Sequence, residues 1–410
     1  MSAYKILLIS PVRDVDIYCG DIVYTESILN RPPEDIEYTD YVTALKNEDI
    51  VERKRLRFLW KNMKYSKFWI FQDFFPALII TIINIFRRKQ WLFANPWKYF
   101  HIRNHFDLVH VHVFPVNLSG KVPPVVISNA LTAGQFLETF HNYPAWRITV
   151  MEFMEKGLCK IFNIIETSVC YKKVKKIILF SEVLKNEYLK KGADPDKIRV
   201  IPIGLPSYPV NYKIKDPSQI IIGFIAKDFY AKGGWYLLQA YKKLYPEKKN
   251  LQLFIIGCEQ LFNKKELEPY RIEWLNFVPR EKLLKDYFSK FDIFAYPTVA
   301  DGFPLVVLEA LSMSIPVLTS DLLAMPEMIG YGEAGEISEA RNIESIYKKL
   351  NLMTDMSYLE HKKAAALKFF KNKYHIYNTN LLLGRLYKEC ILDKVLFDFI
   401  DTPATKDDPE

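Results

Sequence analysis

The segment YPTVADGFPLVVLEALSMSIPVLTSDLLAMPE, Tyr296–Glu327, decides how the rest of the chain is read. It opens as a loop ending at Asp301-Gly302, and Pro304 then falls where a first helical residue belongs. Proline sacrifices nothing there, because the N–H it lacks would have no intrahelical partner. A compact apolar helix follows from Leu305 to about Met313, then Pro316 and a strand-like Ile315–Thr319. The amides of Gly302, Phe303, Leu305 and Val306 are expected as free donors at a positive helix end, which suits an anion. Asp301 and Glu309 bracket that end. Glu309 lies in VVLEAL, where a buried carboxylate is costly unless hydrogen-bonded. Ribose or sugar hydroxyls would serve it; alternatively Glu309 and Ser312 form a thin solvated stripe.

With 410 residues the chain fits two domains, and with 50% hydrophobic and 25% charged residues it has a globular composition. A net charge of +8 is modest for this length and gives no argument for nucleic-acid binding. Cys19, Cys159, Cys170, Cys258 and Cys390 are scattered and odd in number, without C-x-x-C spacing. That speaks against a disulfide framework or zinc site and fits a reducing cytosol. MSAYKILLISP is too short an apolar run for a signal peptide and reads as a first buried strand.

That strand, Ile6–Ser10, leads through PVRDVDIYCGD into a helical pattern from about Ile22 to Leu29, the opening of an α/β domain. Only Gly20 in this loop suits a phosphate cradle. Asp14-Val15-Asp16 has the spacing of a metal-binding pair, though such pairs arise readily by chance. Residues 52–103 are unusual: Arg53, Lys54, Arg55, Arg57, Lys61, Lys64 and Lys67 precede FWIFQDFFPALIITIINIF, and Arg87, Arg88 and Lys89 close it. Asp73, Pro76 and Asn84 interrupt the apolar run, so it does not read as a spanning helix. Basic residues and interleaved tryptophans suit an anionic lipid surface, against the alternative of a core helix hairpin with a solvated basic face. No nucleic-acid-binding module accompanies the patch. Phe106–Val113, Pro124–Ser128, Lys176–Ser181 and Lys197–Ile203 read as strands, with a long helix over Arg147–Val174. His110 and His112 share a strand face and read as a packed or hydrogen-bonded pair rather than a metal site.

GLPSYPVNYKIKDPSQ, from Gly204, lacks periodicity and reads as a linker. A second α/β unit then begins with Ile220–Ile225, the loop AKDFYAKGG and a helix. Lys227 and Lys232 beside a helix N-terminus suit a diphosphate, the alternative being a solvated loop. Leu251–Gly257, Ile272–Asn276 and Ile293–Pro297 continue the strands, with a helix over Arg280–Lys290 among those between. The fold class is therefore α/β, with two Rossmann-like domains whose ligand lies at the C-terminal strand edges. Residues 1–204 form the first domain with the insertion 52–103, 205–218 the linker and 219–375 the second domain. A helix over 376–398 is expected to return to the first domain, and 399–410 to be a frayed tail.

The second half resembles the retaining glycosyltransferases of the two-Rossmann (GT-B) architecture, family 4. AKDFYAKGG looks like that family's Gly-Arg-Leu-…-Lys-Gly loop, and DGFPLVVLEAL like its E-x7-E motif. FDIFAYPT and SDLLAMPEMIG match the flanking strand and the Pro-Glu segment. The resemblance spans about residues 197–340, with a looser match through KILLISP, DLVHVH and LFSEVLKNEYLKKG…KIRVIPIG. It implies catalytic roles for Asp301, Lys232 and Lys227, the lysines holding the donor diphosphate and Asp301 meeting the donor sugar. Glu309 would take the ribose hydroxyls, and Gly20, Val278, Gly302, Phe303 and Leu305 complete the donor site. The family usually needs no metal, so no metal ligand and no cofactor beyond the nucleotide-sugar substrate is expected.

Three departures stand out. Asp301 replaces a glutamate, only Gly20 remains of a glycine pair, and Ala130 stands near the place of a cleft histidine. Ser128 and Asn129 are the hydroxyl-binding candidates beside it. The expectation is sugar transfer from a nucleotide sugar to a lipid-linked or polysaccharide acceptor, at the cytoplasmic face of an anionic membrane and without nucleic acid. The rivals are a nucleotide-sugar epimerase or hydrolase of the same fold, or an inactive glycosyltransferase-like scaffold subunit.

Overall fold

The computed structural model describes residues 3–12, 20–52, 82, 98–113, 115–132, 134–135, 137–138, 143–161, 165, 174–208 and 218–400. In the first half the strands are β1 (Tyr4–Ile9), β2 (Ile36–Asp40), β3 (Ile50–Glu52), β4 (Lys98–Ile102), β5 (Leu108–His112), β6 (Val116–Gly120), β7 (Val125–Asn129), β8 (Lys176–Leu179) and β9 (Ile198–Val200). In the second they are β10 (Ile220–Ile225), β11 (Leu251–Ile256), β12 (Ile272–Leu275), β13 (Ile293–Tyr296), β14 (Val317–Ser320) and β15 (Gly335–Ser338).

Each half carries a six-stranded parallel sheet. The orders are β2-β1-β5-β7-β8-β9 and β12-β11-β10-β13-β14-β15. Both are the doubly wound order, in which the chain reverses direction of winding beside the first strand. Those reversal points, between β1 and β5 and between β10 and β13, open the crevices where ligands bind in such sheets. Strands covered on both faces need continuous apolar runs. Leu108–His112, Val125–Asn129 and Ile293–Tyr296 are accordingly buried at every position.

The helix Leu305–Ser312 is buried almost all round, in keeping with its sequence LVVLEALS. Glu309 and Ser312 are buried too, so the solvated-stripe alternative does not hold. Pro304 sits one place earlier than expected, as the extended residue capping this helix. The helix Ile376–Ile400 follows the second sheet and returns to the first half, where Lys388 pairs with Asp35 at 3.1 Å and Glu389 with Lys176 at 2.8 Å. The passage between halves is tied where Leu205 bonds to Tyr374 and Ile376 at 2.9 Å each.

Other expectations need correction. The stretch 52–103 is not wholly an insertion: Glu52 ends β3 and Lys98–Ile102 is β4, which with β6 form a three-stranded sheet. The rest of its basic aromatic core, except Ile82, lies outside the described residues, as do Asp14, Asp16, linker residues 209–217 and the tail 401–410. The helix expected over Arg147–Val174 runs Ala145–Ile161, and Ile165 instead bridges antiparallel to Val116. Arg280–Lys290 is helical but changes pitch, with a wide turn over Leu283–Tyr287 and a tight one over Phe288–Lys290. The described residues include no helix long and apolar enough to cross a membrane.

Candidate active site between the two sheets

The loops leaving β10 and β13 meet at the reversal point of the second sheet. Val299 and Ala300 each donate an amide to Ala231 O at 3.0 Å, and Thr298 Oγ1 donates to the same oxygen at 3.2 Å. Gly233 makes this approach possible. Its φ is +78°, and a Cβ there would collide with Pro297 O. Left-handed backbone against a neighbouring carbonyl is a place for glycine.

The joined loops bring Lys232 and Asp301 together. Lys232 Nζ lies 2.7 Å from Asp301 Oδ2 and donates to Ala300 O at 2.6 Å. The side chains are 15% and 18% exposed, so the pair is largely shielded yet reachable. Tyr296 OH donates to the same Asp301 oxygen at 2.8 Å. Burial, and then the neighbouring carboxylate, hold the Tyr296 hydroxyl well above its ordinary pKa, so it remains a donor at neutral pH. Asp301 Oδ1 accepts from the Gly302 amide at 2.8 Å. The expectation that the Gly302 amide is free is therefore corrected. The short aspartate arm allows this local bond, as Asp side chains readily take nearby backbone donors. Lys227 is exposed just beyond β10, and Val278 is half-buried two residues before Arg280.

Glu309 is held by a residue that the sequence reading passed over. Arg280 places Nε at 2.8 Å and a terminal nitrogen at 2.7 Å from Glu309 Oε1. That terminal nitrogen also donates to Tyr208 OH at 2.5 Å. Burial pushes the Glu309 carboxyl up from its ordinary pKa, with Arg280 acting against the rise. Tyr208 is also raised, first by burial, with Arg280 opposing. No sequence pattern links Arg280, 29 positions upstream, to Glu309; only a buried acid in need of a partner hinted at one.

The first half closes over this site with apolar contacts. The Leu131 side chain leans so closely on Gly302 that a Cβ there would collide with it. A Cβ on Gly20 would lie 3.8 Å from Leu305. Phe303 is buried with its ring 6.0 Å from Phe180 and 6.2 Å from Tyr374. Gly20, Gly302, Phe303 and Leu305 thus share one seam between the halves.

At the first sheet's own reversal point the polar groups form a buried chain. A carboxylate can only accept, so His112 Nε2 donates to Asp21 Oδ1 at 3.2 Å. His112 Nδ1 lies 2.9 Å from Ser128 Oγ, and Ser128 accepts from His110 Nε2 at 2.8 Å. His110 Nδ1 accepts from Tyr387 OH at 2.7 Å, and Tyr387 accepts from Tyr38 at 3.1 Å. Burial, then the adjacent His112, push His110 down to about 3, so it stays neutral. The histidines are the hydrogen-bonded pair expected from their spacing. Among the described residues no group of three or more His, Cys, Asp or Glu is placed to hold a metal. Ser128 is committed to this chain, and Asn129 to Tyr188 OH (3.0 Å) and the Ala130 amide (2.9 Å). Neither is the open hydroxyl-binding group expected beside Ala130. Asp21, with a side chain 38% exposed, is instead the partly open polar end of the chain.

Comparison with known proteins agrees with this architecture. A glycosyltransferase from Rickettsia africae ESF-5 aligns with a TM-score of 0.56 at 15% identity, over 95% of this chain and 99% of that one. Anabaena HepE in complex with UDP-glucose aligns with a TM-score of 0.58 at 12% identity, over 94% and 99% respectively. These likenesses establish the fold as the two-domain GT-B architecture. In sequence, the capsular polysaccharide biosynthesis glycosyltransferase CapM of Staphylococcus aureus is 25% identical over 219 residues, 48% of this chain and 57% of that protein. The O-antigen chain mannosyltransferase B of Escherichia coli is 33% identical over 119 residues, 27% and 30% respectively. The chain spans about half the length of the first curated relatives it matches. The segment 212–368, which carries Lys227, Lys232, Asp301 and Glu309, matches the family of glycosyl transferases, group 1.

Proposed function

We propose that this chain is a retaining, metal-independent glycosyltransferase that moves a sugar from a nucleotide diphosphate to a lipid-linked or polysaccharide acceptor. The observation that carries the reading is the shielded Lys232–Asp301–Tyr296 cluster at the second sheet's reversal point, facing the first domain across the seam. Such a crevice is where nucleotides bind in doubly wound sheets. The group 1 match covers the same residues, and CapM and the mannosyltransferase lend the polysaccharide context.

In this reading Lys232, with Lys227 at the loop's entrance, meets the diphosphate and stabilises the charge that grows as the sugar–phosphate bond breaks. A fixed cation in a site shielded from water does this better than one in solvent, because it needs little reorganisation and little screening. Asp301 and the seam residues Gly302, Phe303 and Leu305 position the donor sugar. Glu309 takes the ribose hydroxyls, oriented by Arg280, Gly20 and Val278 complete the donor site, and Asp21 borders the acceptor side. The cytoplasmic, membrane-surface setting rests on the basic aromatic sequence between Arg53 and Lys89.

Thermal stabilisation by nucleoside diphosphates tests the reading. Saturation at about 100 times the dissociation constant adds about 2.7 kcal/mol to the native state, or roughly 5–10 °C for a domain of this size. Lys232→Ala is expected to lower turnover by about 100-fold or more, as loss of one transition-state donor does. No shift with any diphosphate, or full turnover in Lys232→Ala, overturns it. Donor turnover at full rate without an acceptor would favour the hydrolase or epimerase reading, and retention of biological role with no turnover the scaffold. The anomeric configuration of the product decides retention.

A further inference from the structure

We propose that the helix Ala145–Ile161 is a membrane-contact helix that lays one apolar face on a lipid surface bearing anionic headgroups. The helix is two-faced in an unusual way. Ile148, Met151, Glu155 and Cys159 are buried, the first two packed with Leu137 and Tyr143. On the other side Trp146, Val150, Phe153, Met154 and Ile161 are all exposed, Trp146 by 70% and Phe153 by 79%. At 3.6 residues per turn these five positions, with Gly157 among them, fall within an arc of about 100°. They form one continuous stripe rather than scattered surface hydrophobics. The two aromatic side chains alone present roughly 300 Å², about what the largest apolar patch of a typical monomer amounts to in total.

Charge selects the partner. Lys156 and Lys160 border the stripe on one side and Arg147 on the other, all exposed. Arg147 is steadied over the Tyr143 ring at 4.0 Å. The acids of this helix are elsewhere: Glu155 is fully buried, and Glu152 is paired with Lys191 at the edge turned toward the protein. An apolar stripe carrying a tryptophan, whose bordering charges on this helix are positive, complements the boundary between acyl chains and anionic headgroups. A protein partner would have to match the stripe and supply acids on both rims at once.

The helix also sits beside the candidate site. Its buried face packs with Leu137, on the segment that follows Leu131, and Leu131 touches Gly302 across the seam. Contact there would hold the acceptor side of the crevice at the membrane. The proposal rests on the membrane-surface part of the proposed function, but it involves described residues away from the 53–89 stretch. Its measurement needs no sugar donor, so failure here leaves the diphosphate stabilisation test standing, and the reverse also holds.

Vesicle sedimentation of the full chain tests it, using phosphatidylcholine alone and phosphatidylcholine with about 30% phosphatidylglycerol, at about 0.15 M salt. Wild type is expected to partition to the anionic vesicles. Trp146→Ser/Phe153→Ser should weaken partitioning about tenfold or more, since interfacial binding scales with buried apolar area. Lys156→Gln/Lys160→Gln should weaken it roughly fivefold per lysine on anionic vesicles only. Because these residues are exposed, unchanged circular dichroism and melting temperature will verify folding of each variant. Equal recovery of wild type and Trp146→Ser/Phe153→Ser on anionic vesicles overturns the proposal. So does a wild-type dimer in sedimentation equilibrium that Trp146→Ser/Phe153→Ser dissociates, which would make the stripe a contact between copies.

Discussion

Replacing Arg280 with methionine should cost about 3 kcal/mol, and the cost should fade in acid. The Glu309 side chain is only 7% exposed, and both of its Arg280 contacts converge on one oxygen. Methionine keeps the bulk but leaves a buried carboxylate without its cation. Breaking a buried ion pair from one side costs about 3–5 kcal/mol. The lower end applies here because the Arg280 side chain is 21% exposed and water can partly replace it. At roughly 2–4 °C per kcal/mol the melting temperature should fall by about 6–12 °C.

The sign of the pH effect follows from the direction of the shift. Burial raises the folded-state pKa of Glu309 above its unfolded value, and Arg280 restrains that rise. A group raised in this way contributes its stability fully below the unfolded pKa and loses it as pH rises through the folded pKa. Removing Arg280 raises the folded value further, so the variant's deficit should be largest near about pH 7.5 and shrink toward about pH 5. Calorimetry across that range is the assay. Arg280→Met/Glu309→Gln should recover most of the loss, because the uncompensated charge is gone. A deficit below about 1 kcal/mol, or one independent of pH, would refute the reasoning.

Other outcomes follow from single positions. Gly233→Ala should lower stability by about 1–3 kcal/mol or more in calorimetry, since it adds left-handed strain to a collision with Pro297 O; an unchanged melting temperature would mean the two loops are not locked there. Tyr387→Phe strips His110 Nδ1 of its donor inside the protein and should cost about 1–3 kcal/mol by denaturant titration. Because the folded pKa of His110 is depressed to about 3, its contribution is present above the unfolded histidine value and is lost as pH falls toward 3. Stability should therefore decline by up to about 1.4 kcal/mol per pH unit below about 6.5, and His110→Asn should remove that part of the slope.

Legibility in the sequence followed the range of each interaction. Local features were readable: the strand–loop–helix of Ile220–Leu244, the compact apolar helix from Leu305, and the alternation that paired His110 with His112. So was the two-domain α/β class, because buried parallel strands write continuous apolar runs, whereas the order of the strands within each sheet came only with the fold. The short strands β3 and β4 were absorbed into a basic aromatic stretch whose composition masked their edges. Arg280, Tyr296 and Asp21 stayed hidden because each acts on a partner brought near only by the fold. Ser128 and Asn129 misled for the opposite reason. Their hydroxyl and amide look available in a sequence, but packing had already assigned both.

The tie between Leu205 and the residues flanking His375 has a mechanical consequence. The two passages of chain between the halves lie side by side and are bonded to each other, through Leu205 and through Thr379 Oγ1 to Pro202 O at 2.9 Å. Two fastened tethers at one place act as a door hinge, which permits rotation about their common line and resists sliding. Gly204 lies at that line, where a Cβ would meet Ile376 Cα at 2.8 Å and would wedge the leaves apart. Away from the hinge, Glu327 Oε2 accepts the Glu182 amide at 2.9 Å, a polar bond joining the two leaves. A swing about that line would have to part this bond together with the seam contacts of Leu131 on Gly302 and Phe180 on Phe303, so the hinge and the seam act as one coupled latch.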